Sequence, residues 1–155
     1  MFKLTSLNLN GIRSATTKGV HAWIEATAPD CICVQEIKAQ APDMAGRFEV
    51  LAGMKGYFQF AEKKGYSGVG VYTRHEPSDV IVGFDAEEFD AEGRYVEVRF
   101  DTPSRKFSII SSYFPSGSSG EERQGAKFRF LAKMHAHLMA LKSEREFILC
   151  GDINI

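Results

Sequence analysis

Asn8 and Asn10, Glu36, Tyr113, Asp152 and Asn154 are the residues of this sequence best equipped for chemistry. Each stands where an apolar run ends, in Asn8-Leu9-Asn10-Gly11, Gln35-Glu36, Tyr113-Phe114-Pro115 and Gly151-Asp152-Ile153-Asn154. Two carboxylates and several carboxamides make a hard, oxygen-rich donor set. Such a set suits Mg²⁺, which takes one or two carboxylates and keeps several waters. A cation held this way neutralises phosphate charge, and a carboxylate beside it can orient or deprotonate a water. The residue types therefore point to phosphodiester chemistry. Any one polar strand end is more often structural than functional, because strands leave the core there. Four ends, each with a carboxylate, a carboxamide or a phenol, shift that balance.

These residues need strands to bring them together. Residues 2–9 read as a strand stopped by Gly11, and residues 31–35 as a nearly all-apolar strand buried on both faces. Side chains two apart on a strand share a face about 6.5 Å apart, which pairs Asn8 with Asn10 and Asp152 with Asn154. Ligand sites in α/β sheets favour the C-terminal ends of strands. Between these strands, Val20, Trp23, Ile24 and Ala28 recur at helical spacing, predicting a helix over 17–28 with Trp23 in the core. A short helix is expected over 44–51. Runs at 57–61, 69–73 and 80–84, separated by Gly and Pro, read as a meander of strands. Residues 95–100 and 106–113 form a hairpin across Thr102-Pro103-Ser104. A long helix over 121–142 should bury Phe128, Leu131, Met134, Leu138 and Leu141, and residues 147–150 form a last buried strand. The composite is α/β with strands of mixed direction.

With 155 residues, 44% of them hydrophobic and 25% charged, the chain is read as one soluble globular domain without internal repeat or linker. It has no stretch near the roughly 18 apolar residues of a membrane span. Its N-terminus lacks the pattern of a signal peptide, so no membrane and a cytoplasmic location are expected. A net charge of −1 neither favours nor excludes nucleic acid, since only a local basic groove matters. Cys31, Cys33 and Cys150 are odd in number and lie in strand-like runs. They read as buried thiols in a reducing compartment rather than a disulfide framework or a metal site.

Six short motifs carry a resemblance. Leu7-Asn8-Leu9-Asn10-Gly11-Ile12-Arg13, Val34-Gln35-Glu36-Ile37-Lys38, Gly65-Tyr66-Ser67-Gly68-Val69-Gly70, Glu92-Gly93-Arg94, Tyr113-Phe114-Pro115 and Gly151-Asp152-Ile153-Asn154 occur in this order. In order and rough spacing they resemble the exonuclease III / apurinic-apyrimidinic (AP) endonuclease family of DNase I-like phosphodiesterases. Each motif alone is weak, the six together are strong, and the match spans the whole chain. The resemblance implies a DNase I-like two-sheet α/β sandwich, of which this chain supplies the first sheet and its flanking helices. It implies a divalent-metal-dependent DNA phosphodiesterase of base-excision repair, a 3′–5′ exodeoxyribonuclease, an AP endonuclease or both. The substrate would be double-stranded DNA with 3′ ends or abasic sites, the cofactor Mg²⁺ with Mn²⁺ as the alternative, and the full-length protein a monomer. Residue by residue, Glu36 resembles the main metal carboxylate and Asn8 the asparagine that helps hold the metal. Asp152 resembles the aspartate that orients or deprotonates the attacking water and belongs to the metal set. Asn154 resembles the residue that stabilises the phosphate, also within that set. Tyr113 resembles the tyrosine beside the scissile phosphate, and Lys38 and Arg94 lie where the family has basic residues near DNA.

The sequence departs from the family in places. Asn10 stands where some members have aspartate, and Ser116 where asparagine or glutamine also occurs. The family's domain continues beyond its Gly-Asp-x-Asn segment, into a second sheet, a later aspartate and an Asp-His pair. Residues 1–155 are accordingly read as an incomplete domain, inactive alone, with apolar inner-face surface left uncovered. His21, His75, His135 and His137 fall in no matching motif and read as structural or exposed. Lys63-Lys64 reads as a solvated turn, while Arg123, Lys127, Arg129 and Lys133 suit a solvated helix face and a phosphate contact equally. Two rival functions stay open: a phosphodiesterase acting on lipid headgroups or small phosphates, and a non-catalytic segment that binds DNA or a partner.

Overall fold

The structure is a computed structural model describing residues 1–155. In chain order the elements are β1 (Leu4–Asn8), α1 (Ile12–Thr17), α2 (Val20–Thr27), β2 (Cys31–Gln35), α3 (Ala41–Met44), β3 (Val50–Leu51) and β4 (Met54–Gln59). They continue with β5 (Val69–Thr73), β6 (Asp79–Val82), α4 (Glu87–Asp90), β7 (Tyr95–Arg99), β8 (Phe107–Tyr113), α5 (Glu121–Lys142) and β9 (Glu146–Asp152). Strands β2 and β5 are buried at every position, which demands a layer on each of their faces. They lie inside a five-stranded sheet of order β1-β2-β5-β4-β3, and the other strands form a second sheet of order β6-β7-β8-β9. Each sheet contains one parallel pair, β1 with β2 and β8 with β9. A parallel pair cannot close through a tight turn, so each is joined by helix: α1 and α2 for the first, α5 for the second.

The inner faces of the sheets meet in one apolar layer. Cys31, Cys33, Val69 and Val71 of the first sheet pack against Val96, Val98 and Ile109 of the second. The outer face of the first sheet, through Ile32, Val34 and Tyr72, takes Ile12, Val20, Ile24 and Met44 from the helices. The outer face of the second, through Tyr95 and Ile110, takes Phe89, Phe130 and Met134. The result is a four-layer α/β/β/α sandwich.

The two-sheet α/β class agrees with the sequence reading, but its division does not. The chain supplies strands to both sheets, and their inner faces cover each other, so the expected bare inner face does not arise. A buried apolar strand reads the same in sequence whichever sheet it joins, and this hid the second sheet. What stays open is one side of the sandwich, where β1 and β9 are edge strands lying against each other across the two sheets.

Three local readings also change. The helix expected over 17–28 is broken at Gly19, whose φ of +92° starts α2 afresh. Val20 and Ile24 are buried there, but Trp23 is 42% exposed rather than core. The segment 44–51 is not a helix: α3 ends at Met44, held at its start by a Gln40–Asp43 capping box, and β3 then pairs with β4. In α5 the buried residues are Ala126, Phe130, Met134 and Leu141, whereas Phe128 is 60% exposed.

Candidate active site

The polar strand ends converge where the inter-sheet layer stops. Asn8 and Gln35 are paired across β1 and β2, and Tyr113 and Asp152 are paired across β8 and β9. Below the rim the apolar layer gives way to hydroxyls and an amide. Gln35 Nε2 donates to Ser6 Oγ at 3.3 Å and to Ser111 Oγ at 3.2 Å, and Ser111 Oγ donates to Val34 O at 3.0 Å. At the rim itself, Asn8 Nδ2 donates to Glu36 Oε1 at 2.8 Å and to Asp152 Oδ2 at 2.9 Å. One amide thus joins carboxylates from both sheets, 28 and 144 residues away in the chain. Asp152 reaches this position because Gly151 precedes it. A Cβ at Gly151 would lie 1.9 Å from Ser112 O, so only glycine lets β9 run this close to β8.

The backbone around the rim is unusual. Asn10, Glu36, Lys38 and Asn154 all have φ between +44° and +52°, and they make up four of the eight non-glycine residues with positive φ in the chain. Such conformations cost on the order of 1–3 kcal/mol each and cluster where side chains must be aimed. Asn10 N–H donates to Asn8 Oδ1 at 2.9 Å, fixing which way the Asn8 amide faces. Lys38 Nζ lies 3.1 Å from Glu36 Oε2 and donates to Asn10 Oδ1 at 2.6 Å. Burial pushes the Glu36 carboxyl up, but hydrogen bonds from Asn8 and Lys38 outweigh it and hold the group below the usual carboxylate range. Burial, reinforced by the Glu36 charge, pushes the Tyr113 phenol up to about 12 against the pull of Arg94. Tyr113 is therefore a neutral hydroxyl at physiological pH, beside an ionised Glu36.

Asn8, Glu36, Lys38, Tyr113 and Asp152 are thus gathered in one place. Asn154 is next to it but turned: its backbone N–H donates to Asp152 Oδ1 at 3.1 Å, while Nδ2 donates to Phe114 O at 2.7 Å. Arg94, expected at the DNA surface, has a side chain 2% exposed. Its donors go to Glu92 Oε2 at 2.6 Å, Tyr113 O at 2.9 Å and Tyr66 OH at 2.7 Å. The arginine follows Gly93, where a Cβ would meet Ala61 N at 2.6 Å, so the motif's glycine lets this turn pack on the 60–61 backbone. Sequence reasoning missed this cluster. Its signal was the Glu92 two residues before Arg94, a ready partner for a buried guanidinium. It also missed Gln35, Ser6 and Ser111, which floor the site.

No histidine joins the rim. His75 lies 3.0 Å from Asp30, His21 pairs with Glu25 at 3.9 Å, and His137 sits against Tyr95. Of the basic residues on α5, Arg123 pairs with Glu92 at 3.1 Å, Arg129 with Glu88 at 2.5 Å, and Lys127 Nζ donates to Asn154 O. No three His, Cys, Asp or Glu side chains cluster as a metal site anywhere in the chain, so a cation at the rim would rest on two carboxylates and on amide oxygens. No helix is long and apolar enough to cross a membrane.

The chain is similar to known proteins in sequence and in fold. Over 99% of its length the chain is 32% identical to an exodeoxyribonuclease of Bacillus subtilis, covering 58% of that protein. It is 32% identical to the DNA repair nuclease APEX1 of Danio rerio, covering 49% of it. It is 34% identical to exodeoxyribonuclease III of Haemophilus influenzae, covering 57% of it. The chain thus spans about half of the length of the curated relatives it matches. Its fold superposes on the Xenopus laevis APE2 catalytic domain with a TM-score of 0.82 and 26% identity, covering 99% of this chain and 59% of that one. Residues 5–155 match the family described as endonuclease/exonuclease/phosphatase, and the chain belongs to that family.

Proposed function

We propose that the protein is a DNA phosphodiesterase of base-excision repair that uses a divalent metal, Mg²⁺ or Mn²⁺, and cuts double-stranded DNA at abasic sites, at 3′ ends or at both. The observation that carries this reading is the Asn8 amide held between Glu36 and Asp152, one carboxylate at the end of β2 and the other at the end of β9. Relatives named as exodeoxyribonucleases and as an AP endonuclease support DNA as the substrate.

The donor set fits a hard cation: two carboxylates and carboxamide oxygens, with no thiol or imidazole among them. Glu36 and Asp152 would hold it, with Asn154 beside them, and Asn8 would join by turning its amide, whose Nδ2 faces both carboxylates while Oδ1 takes Asn10 N–H. Once bound, it would supply charge neutralisation at the phosphate and its leaving oxygen. The chain's own groups do the rest. Asp152 orients an attacking water and accepts its proton. Tyr113, a neutral phenol, donates a hydrogen bond to a phosphate oxygen. Lys38, at the edge of the rim, lies near enough to meet the same phosphate. The amide of Asn154 would have to release Phe114 O before it could donate to the phosphate.

Incubation of the complete gene product with abasic duplex and Mg²⁺ tests the reading. Incision that stops with a chelator and falls about a hundredfold or more in Asp152→Asn supports it, by comparison with loss of a single catalytic donor. Cleavage of a small phosphodiester in preference to the duplex would assign the site to another substrate. Duplex binding without any cleavage would make the protein a binding module.

A further inference from the structure

We infer that Arg94 is a positioning residue, a buried fork that sets Tyr113 at the rim and Tyr66 at the surface as one unit. The inference rests on the phosphodiesterase reading for its catalytic meaning, and on the geometry alone for the linkage.

The guanidinium offers its donors in a fixed planar fan, and here that fan is spent in three directions. Nε goes to Glu92 Oε2, Nη1 to the Tyr113 carbonyl and Nη2 to the Tyr66 hydroxyl. Its carbon also lies 5.0 Å from the centre of the Tyr113 ring and 5.8 Å from that of Tyr66. The backbone repeats the connection, since Tyr113 N–H and Ser112 Oγ both donate to Arg94 O. Glu92 is itself held by Arg123 of α5, at 3.1 Å and 3.4 Å, so the fork is anchored on the long helix. Gln59 Oε1 takes the Arg94 N–H at 2.9 Å and anchors it on β4. A charge buried to this degree is stable only when its partners are complete, and these are. The Tyr66 hydroxyl, having accepted from Arg94, keeps its own proton to donate. Lys63 Nζ stands over the same ring at 5.2 Å. A ligand that moves Tyr66 therefore pulls on the guanidinium that backs Tyr113. Lysine cannot replace it, because an ammonium has no planar fork to span three partners.

Two measurements decide this. In the protein labelled with ¹³Cζ-tyrosine, Arg94→Lys should shift the Tyr66 and Tyr113 resonances together and leave Tyr57 in place. Tyr66→Phe, a gentler change that removes only one acceptor, should shift Tyr113 as well. If Tyr113 holds still in both variants, the linkage is wrong whether or not the protein cuts DNA. In the complete gene product on abasic duplex, Arg94→Lys should lower kcat on the order of tenfold to a hundredfold, as misplacement of a catalytic group does. KM should stay within about threefold, since the guanidinium itself makes no contact with DNA. A raised KM with a shallower salt dependence and an unchanged kcat would make Arg94 a direct phosphate contact and overturn the proposal. A wild type that cuts no DNA would defeat the phosphodiesterase reading, and the tyrosine resonances would still decide the linkage.

Discussion

Two polar clusters in this protein use the same kinds of residue and differ in burial and in the backbone that carries them. Under α5, on the outer face of the second sheet, Glu97 is 1% exposed and receives Tyr95 OH at 2.8 Å, Ser108 Oγ at 3.2 Å and Arg99 Nε. Tyr95 has one proton and gives it to Glu97, so the His137 ring 2.8 Å away must donate to it from Nε2. Every buried side-chain nitrogen and oxygen there has a hydrogen-bond partner. At the rim, Glu36 and Asp152 share one amide from Asn8, the flanking backbone is bent into positive φ, and the cluster opens to solvent. Completeness marks the first cluster as structural. Exposure to solvent, with strained backbone around it, sets the second apart as the candidate ligand site.

The contrast is broken most directly at Glu97. Glu97→Ala should cost about 3 kcal/mol in denaturant unfolding, because it leaves two buried hydroxyls and the half-buried Arg99 without their acceptor. A cost near that of a surface substitution would mean the network is not what closes this face. Tyr95→Phe removes one hydroxyl from the middle of the chain and should cost about 1–2 kcal/mol. Acid sharpens the comparison. Burial lowers the His137 pKa below the ordinary 6.5, despite the opposing pull of Glu97. A depressed value means that the unfolded chain takes up its proton first. His137 thus stabilises the fold above pH about 6.5 and loses that contribution as pH falls through its lower folded value. The melting temperature should begin to drop over that window, and His137→Gln should flatten the drop. The smallest effect belongs to the rim. Glu36→Gln keeps an oxygen for Asn8 and should change stability by only about 0.5 kcal/mol. Added Mg²⁺ or Mn²⁺ should raise the melting temperature of the wild type and not of this variant. A large stability loss in Glu36→Gln would erase the distinction between the two clusters.

How much of this was legible in the sequence depends on what fixes each feature. Strands β2 and β5 and helix α5 match their expected limits, since long or wholly apolar runs between clear breakers leave little choice. The meeting of Asn8, Glu36 and Asp152 was also legible, because strand ends in α/β proteins favour one edge. The buried face of α5 was not. Phe128 and Phe130 are two residues and roughly 200° apart on a helix, and only packing against Phe84, Phe89 and Phe114 selects the second. Gly19 was read as part of one continuous helix, and its φ of +92° breaks it. Arg94 misled because its charge suggested a surface, whereas Glu92, Tyr66 and Tyr113 come from three segments that only the fold assembles.

The rim draws Asn8 from one sheet and Asp152 from the other, and these two strands share no backbone ladder. Their separation is set at a distance, by the bulk of valines and cysteines in the middle layer and by Ser111 reaching across to Val34. The gap that a cation would have to fit is therefore governed by side chains that never touch it. Trimming Val71 or Ile109 by a methyl group would alter that gap without changing one polar atom, and interiors packed this densely transmit such changes. Reactivity in this family member should then vary with the thickness of its greasy middle.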